Sequence, residues 1–234
     1  MPRLSEVIAA LDALWPPGRA EGWDAVGTVC GDPDAEIDRV LFAVDPVHEI
    51  ADEALELGAQ LIVTHHPLYL RGTTTVAADT FKGKVVHTLI KHDIALHVAH
   101  TNADTADPGV SDALAGALDL RVTRPLVPDP PEALVRTVAV SGGSGDSLFD
   151  AVRAAGVDAF LTADLRHHPA SEAVQHSPLG LVDAAHWATE WPWCEQAAAQ
   201  LDALSDRHGW DLRVHVSKQV TDPWTTHHSS GAPN

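Results

Sequence analysis

The chain has 234 residues, 45% of them hydrophobic, which is enough for one large or two small cores. Its 33 acidic against 15 basic residues leave a formal charge of -18, which opposes bulk nucleic-acid binding and attachment to an anionic membrane surface. Only two cysteines occur, Cys30 and Cys194, far apart in the sequence, so no disulfide framework and no thiolate zinc site is expected and the cytoplasm is the expected location.

In chain order, Leu4, Val7, Ile8, Leu11 and Leu14 recur at helical spacing and predict a first helix, stopped by Pro16-Pro17-Gly18. The opening Met1-Pro2-Arg3-Leu4 belongs to that amphipathic helix rather than to a signal peptide, and no run approaches the length needed to span a bilayer. Apolar, β-branched runs predict strands over 39–44 and 60–64 with a helix over 47–57 between them, a βαβ unit that implies parallel pairing. A second unit follows, with a helix over 84–91, a strand over 94–99 and a helix over 110–118. Four prolines in the seven residues 125–131 break the pattern and mark the expected boundary between lobes. Beyond it the alternation resumes, with strands over 136–141, 159–162, 180–183 and 211–215 and helices over 147–155, 170–175 and 193–207. The expected fold is therefore two packed α/β lobes, residues 1–126 and 127–220, with no inserted third domain. The polar stretch 221–234 is expected to be a disordered tail in which His227-His228 is solvated.

Ligand-type residues gather at the ends of these strands, where α/β proteins place their sites. His65-His66 closes the run Leu61-Ile62-Val63-Thr64 and is stopped by Pro67. Neighbouring strand side chains point to opposite sides, so the two imidazoles are expected to face two different metals. His100-Thr101-Asn102-Ala103-Asp104 follows the strand over 94–99. His186-Trp187-Ala188-Thr189-Glu190 follows the strand over 180–183 and sets its His and Glu on one face of a helical turn. Singly, Asp104 reads as well as a turn residue, and Glu190 as an exposed acid of a first helical turn. Together, His65, His66, His186, Asp104 and Glu190 are too few for two closed structural sites and suit a pair of metals with open positions. Both lobes supply them, which puts the site in the cleft between lobes. Asp45, directly after a strand, and His100 read as groups that orient metal-bound imidazoles. Gly142-Gly143-Ser144-Gly145 reads first as a tight turn, since the P-loop lysine and the full dinucleotide fingerprint are missing.

These motifs resemble those of one family. Glu21-Gly22-Trp23-Asp24-Ala25-Val26-Gly27 is similar to the Trp-Asp-Asn-Val-Gly signature of the GTP cyclohydrolase 1 type 2 homologues, also called NGG-interacting-factor-3-like proteins, with Ala25 in place of Asn. Thr64-His65-His66-Pro67, His100 to Asp104 and His186 to Glu190 resemble the family's Thr-His-His-Pro, His-Thr-Asn-x-Asp and His-x-x-x-Glu motifs in order and spacing. The resemblance implies a dinuclear centre with His65 and His66 on different metals, Asp104 on one, His186 on the other, and Glu190 bridging. It also implies a ring-shaped homo-oligomer, a hexamer. Thr162-Ala163-Asp164 followed by His168 resembles a Thr-Gly-Asp segment with its His, which makes His168 a candidate acid-base or substrate group.

Two functions stay open. One is hydrolysis of a nucleotide or other small substrate by a metal-bound hydroxide, for which imidazole and carboxylate ligands suit two divalent cations without choosing among Zn, Fe, Mn and Co. Arg71, Lys82, Lys84 and Arg166 are the candidate cations for a triphosphate. The other is a non-catalytic metal-binding regulatory or protein-interaction protein, in which chelation would remove stability rather than turnover.

Overall fold

The computed structural model describes residues 1–120, 135–177 and 179–224. The expected boundary at 125–131 and the His227-His228 pair lie outside the described residues. In chain order the elements are α1 (Leu4–Leu14), β1 (Gly27–Cys30), β2 (Arg39–Ala43), α2 (His48–Leu57), β3 (Leu61–Thr64), α3 (Phe81–Lys91), β4 (Ala95–Val98), the single turn α4 (Thr101–Asp104) and α5 (Val110–Ala117). They continue as β5 (Val138–Ser144), α6 (Phe149–Ala155), β6 (Ala159–Ala163), α7 (His167–His176), β7 (Gly180–Ala184), α8 (His186–His208) and β8 (Arg213–Val216).

Two sheets result. The larger has the order β1-β4-β3-β2-β8, with β1 antiparallel at one edge and the other four strands parallel. Because side chains alternate along a strand, β2 sends Val40 and Phe42 to one face and Leu41 and Ala43 to the other. On the first face these meet Leu4, Val7 and Leu11 of α1 and Trp193, Ala197 and Leu201 of α8. On the second they meet Ile50 and Ala54 of α2 and Val85 and Leu89 of α3. The smaller sheet, β5-β6-β7, is parallel, and Phe149 and Val152 of α6 and Ala173 of α7 close its own core around Phe160. No third domain stands among the described residues, and the fold class is α/β.

Three expectations change. The strand read over 211–215 belongs to the first sheet, where β8 pairs with β2, so a division after residue 126 does not follow the sheets. The long α8 carries the chain back across the first sheet and delivers β8 to its edge beside β2. This helix starts at His186 rather than after Pro192, which lies inside it. Proline removes one helical hydrogen bond, but Trp193, Cys194, Ala197 and Leu201 bury along the helix and hold it. The tail does not begin at residue 221: Thr221 is hydrogen-bonded to Asp45, and Asp222 is buried.

Candidate metal centre

β3 ends at Thr64 and the chain turns at Pro67, so strand alternation no longer governs the histidine pair. His65 keeps the parity of Leu61 and Val63 and sets its ring 5.2 Å from that of Trp193. His66 does not point to the opposite side as expected; its ring centroid is 5.3 Å from that of His65. His100, between β4 and α4, lies 5.0 Å from His65 and 5.7 Å from His66, while His186, the first residue of α8, lies 5.2 Å from His66. Glu190, one turn along α8, stands among them and is buried. Its Oε1 is 3.1 Å from His186 Nε2 and 3.5 Å from His65 Nε2, and its Oε2 is 2.8 Å from His66 Nε2. Asp104 reaches in from the rim, Oδ1 3.7 Å from His65 Nε2.

All four rings are held in one way. Nδ1 of His66 donates to Asp45 (2.7 Å), that of His100 to Asp24 (2.9 Å), that of His186 to Asp164 (2.8 Å) and that of His65 to the Ala99 carbonyl (3.0 Å). Committing Nδ1 as the donor leaves the lone pair of a neutral imidazole on Nε2, the arrangement of metal-binding histidines with their outer carboxylates. Asp45 thus holds the His66 ring by its Nδ1. His100 is itself an oriented ring, and its orienter is Asp24, which also accepts from the Thr101 amide (3.0 Å) and hydroxyl (2.5 Å). Asp24 and Asp164 are site residues to which the sequence patterns assign no role. The one signal for them is their place inside the Trp23-Asp24 and Thr162-Ala163-Asp164 segments.

The electrostatics follow from this packing. Burial works against a charge on His66, but the Asp45 and Glu190 carboxylates on either side of the ring outweigh it and push its pKa up to about 10. Hydrogen bonding to Glu190 takes His186 up to about 9 against the desolvation of its ring. Burial alone would raise Glu190, yet the surrounding imidazoles hold its carboxyl well below the usual carboxylate range. Burial raises the Asp104 carboxyl and lowers His100. The cluster thus demands positive charge at its centre, which protons or a metal cation can supply in competition.

The donor set fits a divalent cation. Metal–donor bonds of about 2.0–2.1 Å at tetrahedral to octahedral angles put neighbouring donors about 2.9–3.4 Å apart, close to the spacings of Glu190 from the three rings. Glu190 Oε2 is buried and, among the described residues, makes no aligned hydrogen bond, although His66 Nε2 is its neighbour. The donor atoms of His65, His66 and His100 lie within 4.8 Å of one another, and so do those of His66, His186 and Glu190.

The backbone leaves room for this centre. Gly142 and Gly143, expected in a tight turn, lie in the irregular end of β5, where the register with β6 shifts between Val140 and Ser144. Gly143 has φ +66°, donates to Thr189 Oγ1 (2.9 Å) and accepts from Thr162 Oγ1 (2.8 Å), so β5, β6 and α8 meet at this residue.

Of the remaining expected residues, His168 is not brought in: it is exposed on the first turn of α7, its ring 5.3 Å from His167. Arg166 is engaged by Asp146 at 2.6 Å.

Fold and site together define an α/β protein with a buried, carboxylate-oriented histidine cluster of the kind that takes a divalent metal. A model of the Duf34/NIF3 (NGG1p interacting factor 3) family matches residues 2–134 and 127–223, and the chain belongs to that family. A Streptomyces coelicolor protein named GTP cyclohydrolase 1 type 2 homolog is 69% identical, with both chains covered in full. Its alignment runs to 285 positions against 234 residues here, so that relative carries segments this chain lacks. A protein of the same name from Mycobacterium bovis is 33% identical over 98% of each chain. Among solved structures, the Bacillus cereus protein related to NIF3 shares the fold at a TM-score of 0.88, with 21% identity over 97% of this chain and 99% of that one. Staphylococcus aureus protein SA1388 superposes at 0.87, with 25% identity over 97% and 99%.

Proposed function

We propose that this chain is a metal-dependent hydrolase that holds two divalent cations between its sheets and acts on a small anionic substrate, a nucleotide being the class its relatives' name suggests. One observation carries the reading: four imidazoles, each with Nδ1 already committed, surround the buried Glu190 carboxylate, whose oxygens lie 2.8–3.5 Å from three of their Nε2 atoms. The donors fall into two groups, and since the one free nitrogen of His66 can serve a single ion, the two oxygens of Glu190 are what would allow a second cation beside the first. These residues would hold a divalent metal whose chemistry, when bound, would be Lewis acidity toward a substrate oxygen and activation of water. Glu190, with Oε1 toward His65 and His186 and Oε2 toward His66, would hold the cations together with the rings, and Asp104, its side chain 40% exposed, would add a carboxylate at the mouth. Asp24, Asp45 and Asp164 hold rings in place and need not touch substrate.

Support for an anionic substrate comes from the segment that follows His66. Tyr69, Arg71, Thr73, Thr75 and Lys82 line a cavity of about 450 Å³, a size that suits a small molecule. Helix α3 begins in this wall, and in a βαβ unit that end of the helix lies at the same sheet edge as the end of β3. Self-association to a hexamer belongs to the same proposal and rests on family resemblance; light scattering that returns a single chain mass would overturn it.

The test is elemental analysis by inductively coupled plasma mass spectrometry on protein purified without a metal-affinity column. Two metals per chain, reduced in both His65→Ala and Glu190→Ala, support the centre, and metal-dependent turnover of nucleotides supports the hydrolase. Failure to take up Zn, Mn or Fe overturns it. Metal uptake with unfolding on chelation and no turnover selects the non-catalytic metal-binding protein.

A further inference from the structure

The chain after β8 stays fastened to the body of the protein. Ser217 is buried; its hydroxyl donates to Glu53 (2.5 Å), and its carbonyl accepts from Trp191 Nε1 (2.7 Å), one residue beyond Glu190. Gln219 Nε2 donates to the Glu49 carbonyl (3.1 Å) and to Glu53 (3.2 Å), so the segment is tied to α2 on one side and to α8 on the other. Thr221 then donates its hydroxyl to Asp45 Oδ2 at 2.5 Å, while Asp45 Oδ1 accepts from His66 Nδ1 at 2.7 Å. The next residue, Asp222, is 7% exposed.

A carboxylate orients an imidazole only if its own plane is fixed, and Asp45 stands beyond the end of β2, outside the ladder. Among the described residues, the side chain that engages its second oxygen is that of Thr221. The order is thus Thr221 to Asp45 to His66 to Glu190, four side chains in series that end on the candidate centre. We propose that residues 217–222 form a strap that sets the metal centre, with Thr221 the positioning residue that fixes Asp45 and, through it, the His66 ring. This goes beyond the hydrolase reading and does not need turnover.

Two readouts on the full chain test it: Zn²⁺ affinity by competition with a chromophoric chelator, and the His66 Nδ1–H resonance of the metal-free protein by NMR. Loss of an outer hydrogen bond to a metal-binding imidazole costs about tenfold or more in affinity. Thr221→Val loosens that hydrogen bond without removing it, so it is expected to weaken Zn²⁺ binding by up to about tenfold and to shift or broaden the His66 signal, with Thr221→Ser restoring both. Thr221→Ala, which also removes the hydroxyl, replaces valine in the comparison should that variant not fold. Wild-type affinity and an unchanged His66 signal in Thr221→Val overturn the strap, as does equal loss in Val and Ser. Absence of Zn²⁺ binding in the wild type would overturn the metal centre instead, and the NMR signal would still decide the strap.

Discussion

A β-carbon on Gly143 would stand 2.4 Å from Glu190 Oε1 and 3.1 Å from His186 Nε2, so the absence of a side chain at this position is part of the centre. Gly209, which ends α8, has the same φ of +66°, but a β-carbon there would meet nothing within 4 Å, and the two glycines together separate backbone strain from collision. A left-handed backbone costs an alanine about 1 kcal/mol. We expect Gly209→Ala to lose about that much in urea denaturation and to keep full metal uptake. Gly143→Ala should lose more and bind little metal. Equal behaviour of the two variants in elemental analysis would show that Gly143 serves only its backbone conformation.

His97 gives the clearest pH effect. It is 2% exposed on β4, with Thr28 Oγ1 3.2 Å from its Nδ1, and burial lowers its pKa from 6.5 to about 4. A histidine depressed in the folded state leaves the unfolded chain as the stronger proton binder below pH 6.5. Its contribution is therefore present above that pH and is lost as pH falls toward 4. The linkage relation puts the loss at about 2 kcal/mol between pH 7.5 and 5. Urea midpoints at those two pH values check it: His97→Asn should reduce the difference between them, and an unchanged difference would refute the assignment.

Asp164 holds His186 from a left-handed backbone at φ 53°, a conformation that Asp and Asn tolerate and alanine does not. Asp164→Asn should fold normally and bind metal about tenfold more weakly, as for other outer carboxylate partners. Asp164→Ala should add about 1 kcal/mol of destabilisation to that loss. Chelator competition paired with thermal denaturation reads the two effects separately, and undiminished metal affinity in Asp164→Asn would remove Asp164 from the site.

What the sequence reveals of this site follows from how local each signal is. The runs ending at Thr64 and Val98 and the His-x-x-x-Glu spacing on α8 are short-range patterns, and they locate His65, His66, Asp104, His186 and Glu190. The orienting pairs are not short-range: Asp24 lies 76 residues from His100, and Asp164 lies 22 from His186. No periodicity announces such pairs. The edge strand β1 goes unread because it is only four residues long and partly exposed, and its pairing with β4 is irregular between Thr28 and Cys30. The opposed histidines fail for a related reason, since alternation is a property of a strand and β3 stops one residue too early.

Trp193 ties the main core to the centre. It is fully buried, with its ring 5.2 Å from both Trp15 and His65 and 6.3 Å from Phe42. Truncation to alanine removes a large side chain from a close-packed interior, at a cost of about 3–5 kcal/mol. The same cavity frees the His65 ring, so metal affinity should fall along with stability. Phenylalanine behaves differently, because Trp193 Nε1 is buried without a hydrogen-bond partner among the described residues and an unsatisfied donor is itself unfavourable. Trp193→Phe should therefore cost less than its lost volume implies, about 1–2 kcal/mol, and keep most of the metal affinity. Urea denaturation and chelator competition on both variants check this. A phenylalanine variant as damaged as the alanine one would mean that the indole N–H has a partner after all, and that this partner supports His65.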